Sequence, residues 1–478
     1  LALSYDWFWL INSYNSNIKQ KVSKDVKEEE SRIKLLEEEL LKKCNSIDYE
    51  NADKTLENTK KEIAQLTENQ TSLIKKQNDF SATIKELEIV MNRKIIDIPK
   101  RVRLWTVEYQ SKNSLPKNMI LTGLRGIGKS TFLLYHAQKS NQRMLYFSAD
   151  NPNFSGENLY NLVSAIFMEG YDGVIIDEVH FAKDWSKHLK SLYDDYPDRN
   201  VWASDSSSLI LRQGTADMSR RYVFVHMPFL SFREFLYLET GVEYECVDPF
   251  NYKKLPLEPN AKILSLFEEY KNHGTRPFYQ EKNYYERSLA ILEKTLASDV
   301  PFFVPHITDD NLRLMTSIVG TLSKAAIPRL QVRSLCADWN VGTDKLYQLL
   351  EVMEAVGVLK IIRFKNDNKA KSSGAKIFFA DPCLYSVLNG NVGNQRESFV
   401  VTLFQESNYS VFACKDETEG DFLISKKTGN LQLGTNPIIK IEVGGKNKEP
   451  KSSDWVIKDN SDYPSSNGIP LWLLAMSW

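Results

Sequence analysis

The chain has 478 residues, which is more than one hydrophobic core usually fills, so its length predicts about three domains. With 42% hydrophobic and 26% charged residues, the composition is that of a folded globular protein. A formal net charge of −1 excludes a protein that holds nucleic acid by its overall charge and leaves that role to local basic patches. The five cysteines are widely scattered, which excludes a disulfide framework or a zinc knuckle and favours a reducing cytoplasm.

The first residues form a short apolar segment. The aromatic and aliphatic run at positions 7–11 is too short to cross a bilayer and lacks the basic flank of a signal peptide. The chain does not begin with Met, which suggests a trimmed start. We expect residues 1–16 to pack on a partner or on the next helix, without contact with a membrane.

Residues 17–95 predict a helical arm. Residues 18–90 are rich in Glu and Lys and contain neither Gly nor Pro. Apolar residues recur every seven positions in two series, Val26, Ile33, Leu40 and Ile47 in the first and Leu66, Leu73, Phe80 and Leu87 in the second. Polar residues between positions 44 and 53 favour an antiparallel hairpin of two coiled-coil helices over a single rod. This arm is either a lever or docking site for a protein partner or a second copy, or a solvated spacer.

A phosphate-binding loop is indicated at residues 123–130. Two glycines separated by four residues are followed by a lysine and a hydroxyl, and the apolar run at 119–121 predicts a buried strand before them. Lys129 supplies a positive charge to the β and γ phosphates, and Ser130 offers an oxygen to Mg²⁺. The next helix points its N-terminus at the phosphates. The residues that we assign to ATP are Gly123, Gly126, Gly128, Lys129, Ser130 and Thr131.

A second element, at residues 171–178, is an apolar run that ends in two acidic residues. A buried parallel strand of this kind delivers a carboxylate to the metal at its C-terminal end. We assign Asp177 to Mg²⁺ and Glu178 to polarising the attacking water. Because an Asp-Glu pair is typical of ATPases that do mechanical work, the sequence favours ATP hydrolysis over a GTP switch.

Apolar runs and helical patterns alternate as far as residue 230, which predicts a doubly wound α/β domain. Residues 200–204 form another short apolar run, and this one ends in a serine. A polar side chain at the tip of a central strand can sense the γ-phosphate. Ser204 is our candidate for this role.

These motifs lie in a stretch that closely resembles a prokaryotic group of AAA+ ATPases related to the archaeal and STAND-like ATPases. The resemblance covers residues 96–240 and rests on IIDEVH at 175–180, the segments 184–186, 189–194, 206–209 and 219–221, and PFLSFREFL at 228–236. Members place a Thr-Gly-Ser-Ser run after the sensor strand, where this chain has Asp205 in place of the glycine. The resemblance implies an ATPase core whose phosphate-reaching arginine is Arg220 or Arg221.

Residues 241–308 are expected to form a helical lid or connector, and residues 309–385 have the element order of a winged helix. Three helical patterns precede two strands, at 312–322, 331–339, 343–355, 358–364 and 376–379. The residues suited to contact DNA are Lys365, Lys369 and Lys371 in the basic turn between the strands, and Thr343, Lys345 and Gln348 on the third helix. Such modules also serve as packing lids in ATPases of this type, and both roles stay open.

The last segment, residues 386–478, resembles restriction-endonuclease-like nucleases, in which acidic residues gather Mg²⁺ around a phosphate. The matching residues are Glu397, Asp421, Glu442 and Lys446. The lysine usually stands two positions after the last acid, where this chain has Gly444. We therefore expect Asp421 and Glu442 to be able to bind a metal, and we favour a degenerate binding or packing domain over one that cleaves.

The sequence as a whole predicts an α/β protein with a P-loop AAA+ core, a coiled-coil arm, a winged helix and a nuclease-like C-terminal domain. The leading hypothesis is an enzyme that hydrolyses ATP with Mg²⁺ and moves its attached domains, with DNA bound by the winged helix and the C-terminal domain. The rival is a switch with little catalysis, in which ATP sets the assembly state and the arm recruits partners.

Overall fold

The structure is a computed structural model. It describes residues 31–42, 49–112, 115–152, 158–206, 218, 220–251, 254–303, 309–326, 328–329, 332–339, 341–365, 374–416, 418–427 and 437–478. The chain divides into two compact units, the first of residues 1–98 and 133–203 and the second of residues 99–132 and 204–478. In the described ranges, no helix is both long and apolar enough to cross a membrane.

A parallel sheet occupies the region where the sequence predicts alternating strands and helices. Its five strands are β1 (Asn118–Thr122), β2 (Met144–Ser148), β3 (Gly173–Asp177), β4 (Asn200–Asp205) and β5 (Val223–His226). In the first unit β3 lies between β2 and β4, and in the second unit β1 pairs with β5. Every residue of β3 is buried, as expected for an apolar strand covered on both faces. The α/β fold predicted for this part of the chain is confirmed.

Helices precede and connect these strands. They are α1 (residues 31–42), α2 (Tyr49–Ile96), α3 (Leu104–Lys112), α4 (Lys129–Lys139), α5 (Leu159–Met168) and α6 (Trp185–Asp195). The predicted turn of the arm extends to Asp53, but α2 already begins at Tyr49. Residues 43–48 lie outside the described residues, so the antiparallel hairpin stays a prediction.

The C-terminal part of α2 is fixed to the first unit. Leu87 and Met91 are buried there. Glu88 accepts a hydrogen bond from Arg143 Nη2 at 2.9 Å and another from the hydroxyl of Tyr171. Before Ile84 the described side chains of the helix are exposed or half-buried, so the arm is anchored at this end.

The second unit contains the remaining helices and two antiparallel or mixed sheets. The helices are α7 (Phe232–Thr240), α8 (Ala261–His273), α9 (Tyr284–Lys294), α10 (Val300–Phe303), α11 (Asp309–Lys324), α12 (Val332–Trp339), α13 (Thr343–Ala355), α14 (Cys383–Val387), α15 (Val392–Glu406) and α16 (Leu471–Leu474). The strands are β6 (Leu359–Ile362), β7 (Lys376–Phe379), β8 (Tyr409–Ala413), β9 (Phe422–Lys426), β10 (Ile439–Gly444), β11 (Trp455–Lys458) and β12 (Gly468–Pro470).

The element order from α11 to β7 is the one expected of a winged helix, with β6 and β7 antiparallel. The last sheet has the strand order β12-β11-β10-β9-β8, and β9 is antiparallel to both of its neighbours. The identities of these parts as a winged helix and a nuclease-like domain stay predictions.

A buried guanidinium joins three distant segments of the second unit. Arg103 is only 4% exposed, and it forms a two-point ion pair with Glu234, at 3.0 Å from Nε to Oε1 and 2.8 Å from Nη2 to Oε2. Its Nη1 also donates to the carbonyls of Ile127 and Pro228, and its Nη2 to that of Phe229. One side chain therefore ties the segment before α3 to the P-loop and to the start of α7.

We expect Arg103→Met to lower the free energy of unfolding by about 3–5 kcal/mol, because it leaves Glu234 buried without its cationic partner. Arg101→Ala is the matched control, since Arg101 is exposed and donates to the Leu238 carbonyl on α7. It should change the free energy by less than about 0.5 kcal/mol. Denaturant titrations of both variants measure this, and an equal loss in the two would contradict the role given to Arg103.

Candidate functional site

The glycines of the P-loop adopt backbone conformations that other residues avoid. Gly126 and Gly128 have φ angles of +77° and +102°, in or near the left-handed region. A Cβ on Gly126 would also lie 2.6 Å from the ring of Phe278. Both positions therefore require glycine, and Gly128 is one of the two glycines that define the motif.

Lys129 begins α4, and its ammonium is buried within the loop that precedes it. The residue is 6% exposed. Its Nζ donates to the Gly123 carbonyl at 2.9 Å and to the Leu124 carbonyl at 3.2 Å. A buried ammonium needs acceptors, and phosphate oxygens can replace carbonyls in that role. Ser130 and Thr131 are half-buried in the first turn of the same helix.

Arginines hold the rest of the loop. Arg103 Nη1 donates to the Ile127 carbonyl at 3.0 Å, and Arg276 Nη1 donates to the Arg125 carbonyl at 3.1 Å. The Arg125 side chain forms a two-point ion pair with Asp299, at 2.9 and 3.0 Å. The loop is thus fixed by side chains that lie far away in the sequence, and no local pattern points to them.

In the first unit, Asp177 ends β3 and is buried. Its Oδ2 accepts a hydrogen bond from the Tyr146 hydroxyl on β2 at 2.8 Å. Burial, together with the charge of Asp177, raises the pKa of Tyr146 far above its ordinary value, so the hydroxyl stays protonated and donates. Sequence reasoning missed Tyr146. The available signal was a side chain with a polar hydroxyl in the otherwise apolar strand β2, which precedes the strand that ends in Asp177.

Glu178 follows directly and has a φ angle of +49°, a left-handed conformation that is uncommon outside glycine. Such backbone strain is concentrated at functional sites. The Glu178 Oε2 lies 3.7 Å from Nδ1 of His180, which is fully buried. This pair carries opposite charges only when His180 is protonated. A carboxylate held in this way next to Asp177 can polarise a water molecule.

The residue that follows β4 lies beside the P-loop. Ser204 and Asp205 are both fully buried at the end of the strand. The next residue, Ser206, lines a cavity of about 20 Å³ together with Leu124 and Arg125. This arrangement is consistent with a sensor role for Ser204, which stays a prediction.

The two candidate arginines lie in the turn before β5. Arg220 is exposed and Arg221 is half-buried. An exposed arginine can reach a phosphate of the same chain or of a neighbour. The assignment of either residue to a phosphate stays a prediction.

Two of the acids in the C-terminal region are joined by a lysine from another element. Lys376 of β7 places Nζ 2.6 Å from Oε2 of Glu397 on α15 and 3.0 Å from Oδ1 of Asp421, just before β9. Burial alone would lower the pKa of Lys376, but the two carboxylates outweigh it and raise the pKa above its ordinary value. Sequence reasoning missed Lys376 because it lies in the segment assigned to the winged helix.

The third acid, Glu442 on β10, is also paired with a lysine. Its Oε1 lies 2.7 Å from Nζ of Lys448. The stem of Lys448 crosses Gly444 so closely that a Cβ there would clash with it. The structure thus places Lys448 beside the acid and against Gly444, whereas Lys446 is exposed. The role of Lys446 at a phosphate stays a prediction. The chain turns back after Gly445, whose carbonyl accepts from the Lys448 N–H, and the spacing of residues did not reveal this turn.

Residues 116–236 match the model of a protein family described as an AAA domain. This segment contains the P-loop, Asp177 at the end of β3 and Glu178 directly after it. The match supports a P-loop core of the AAA type in this region, and with it the binding of a nucleotide. A search of curated proteins finds no match.

The solved structures that are similar to the chain include the following three. The Walker-type ATPase PABY2304 of Pyrococcus abyssi is 13% identical, over 59% of this chain and 93% of that one, with a TM-score of 0.36. A RuvB variant of Thermotoga maritima is 14% identical, over 54% and 86%, with a TM-score of 0.29. The Hsp104–ADP complex of S. cerevisiae is 14% identical, over 56% and 40%, with a TM-score of 0.29.

Proposed function

We propose that the chain is an Mg²⁺-dependent ATPase. The observation that carries the proposal is the ammonium of Lys129, which lies buried in a P-loop within the matched AAA domain. A P-loop lysine contacts the β and γ phosphates, and the loop carbonyls of Gly123 and Leu124 hold it at the start of α4 until phosphate oxygens replace them.

The chain's own residues fit the metal and the reaction. The Ser130 hydroxyl and the Asp177 carboxylate are oxygen donors of the kind that Mg²⁺ prefers. When bound, Mg²⁺ neutralises the negative charge that develops on the phosphates. Glu178 polarises the attacking water. In this proposal the γ-phosphate is contacted by Ser204 and by Arg220 or Arg221.

We expect Glu178→Gln to keep ATP bound and to slow hydrolysis by about 10²- to 10⁴-fold, because the neutral side chain no longer polarises water. Lys129→Ala should instead lose ATP binding, since it removes the charge that faces the phosphates. Titration with a fluorescent ATP analogue and a phosphate-release assay separate the two effects. Unchanged hydrolysis in Glu178→Gln would remove this residue from the mechanism.

We further propose that hydrolysis moves the parts attached to the core. Two contacts of the P-loop support this. Arg276, which donates to the Arg125 carbonyl, also forms an ion pair with Asp381 at 2.6 Å. Leu124 packs against Gly357, in the turn that precedes β6, and leaves no room for a Cβ there. A change in the conformation of the loop would therefore alter the contacts at Asp381 and at Gly357.

The moving parts are proposed to act on DNA. Thr343 and Gln348 are exposed on α13, and Lys365 follows β6 in the basic turn. Lys369 and Lys371 lie outside the described residues. These side chains suit contact with phosphates, and the C-terminal domain would supply further contacts.

A switch with little catalysis is the second candidate, and the arm favours it. Leu35 and Leu41 on α1 are 66% and 71% exposed, and Ile89 on α2 is 62% exposed. Exposed apolar side chains on one arm suit docking of a protein partner or of a second copy. In this candidate ATP controls assembly rather than work on DNA.

The C-terminal acids are proposed to form a domain that does not cleave DNA. Lys376 and Lys448 already compensate Glu397, Asp421 and Glu442, so a metal would have to displace internal cations.

We expect no cleavage when the purified protein is incubated with Mg²⁺ or Mn²⁺ and single- or double-stranded DNA. Gel analysis of the products checks this result. Asp421→Ala and Glu442→Ala serve as controls for a contaminating nuclease. Cleavage by the parent that disappears in both variants would contradict the proposal.

A further inference from the structure

The Walker-type carboxylate of the first unit is held by a neighbouring strand. Strands β2 and β3 are parallel, and their register places Ser148 opposite Asp177 and Tyr146 opposite Ile175. Tyr146 is 2% exposed and Asp177 is 7% exposed. The hydroxyl reaches Oδ2 at 2.8 Å, so the bond lies between two well-packed strands.

We propose that Tyr146 is a positioning residue, which fixes the plane of the Asp177 carboxylate for Mg²⁺, and that the base of the arm tunes this bond through Lys94. The inference rests on the proposed function, because it assumes that Asp177 binds the ion. A donor on one oxygen restricts rotation of the carboxylate, which presents its remaining lone pairs in one direction. Groups that hydrogen-bond to metal ligands typically act on metal affinity in this way.

The second half of the proposal concerns the last turn of α2. Lys94 places Nζ 4.9 Å from the centre of the Tyr146 ring. A cation over an aromatic ring is attracted to its face and withdraws electron density from it. The hydroxyl of such a ring is a stronger donor. Lys94 therefore strengthens the bond from Tyr146 to Asp177.

The base of the arm is rigid enough to transmit a displacement. Ile84, Leu87 and Met91 are buried along the same part of α2. Ser81 donates to Glu169 Oε1 at 3.2 Å, which adds a polar contact in the first unit. A partner that bends or rotates the arm would shift Lys94 relative to β2. The predicted effect is a change in Mg²⁺ affinity at a distance from the docked partner.

The test compares Tyr146→Phe with Tyr171→Phe. Each variant loses one hydroxyl, but that of Tyr171 donates to Glu88 and not to Asp177. A fluorescent ATP analogue is titrated in EDTA and then at increasing Mg²⁺. We expect Tyr146→Phe to keep its affinity in EDTA and to need about 10- to 100-fold more Mg²⁺ for half-maximal enhancement of binding. Because Ile84, Leu87 and Met91 still pack the base of α2 in Tyr171→Phe, this variant should match the parent.

A second pair of variants tests the arm. Lys94→Met should raise the Mg²⁺ midpoint, the Mg²⁺ concentration at half-maximal enhancement of binding, by about two- to fivefold. Arg93→Met, which changes the exposed neighbour, should not raise it. In a Tyr146→Phe background Lys94→Met should add nothing. These two variants also keep the proposal testable if Tyr146→Phe does not fold, as judged by thermal unfolding.

Two outcomes overturn the inference. One is a Tyr146→Phe protein whose Mg²⁺ midpoint equals that of the parent. The other is a Lys94→Met protein whose Mg²⁺ midpoint rises no more than that of Arg93→Met. If the parent itself shows no Mg²⁺-dependent binding of ATP, the proposed function fails instead, so the two failures are distinguishable.

Discussion

A positive charge buried among backbone carbonyls is the constraint on which the core of the second unit depends. Lys129 holds the carbonyls of Gly123 and Leu124, while Arg103 and Arg276 hold two further carbonyls of the same loop. Buried cations without acceptors are costly, so the loop keeps a shape that presents its oxygens inward. The glycines permit that shape, because Gly126 and Gly128 adopt positive φ angles.

The sequence predicted the local parts of this arrangement. The spacing of Gly123, Gly128 and Lys129 indicates a P-loop by itself, and the apolar run before Asp177 indicates a buried strand. Each of these patterns is contained in a few consecutive residues. The partners of these groups cannot be recognised in the same way, because Tyr146 and Arg276 meet the motifs only through the fold.

In the C-terminal region, too, the sequence did not reveal which residues lie side by side. The acids that the sequence singles out are near lysines, but the lysine expected from linear spacing is not the one beside Glu442. Lys448 lies there because the chain reverses direction after Gly445. Lys376, which contacts Asp421, belongs to the separate hairpin of β6 and β7. Internal ion pairs thus occupy the cluster of acids.

The most direct test of the account is the rate of phosphate release from ATP by the full chain at saturating Mg²⁺, with and without double-stranded DNA. If movements of the loop act on attached parts that bind DNA, we expect steady turnover of ATP that DNA stimulates. Tight binding of ATP without turnover, in the presence or absence of DNA, would contradict it and would favour the assembly switch.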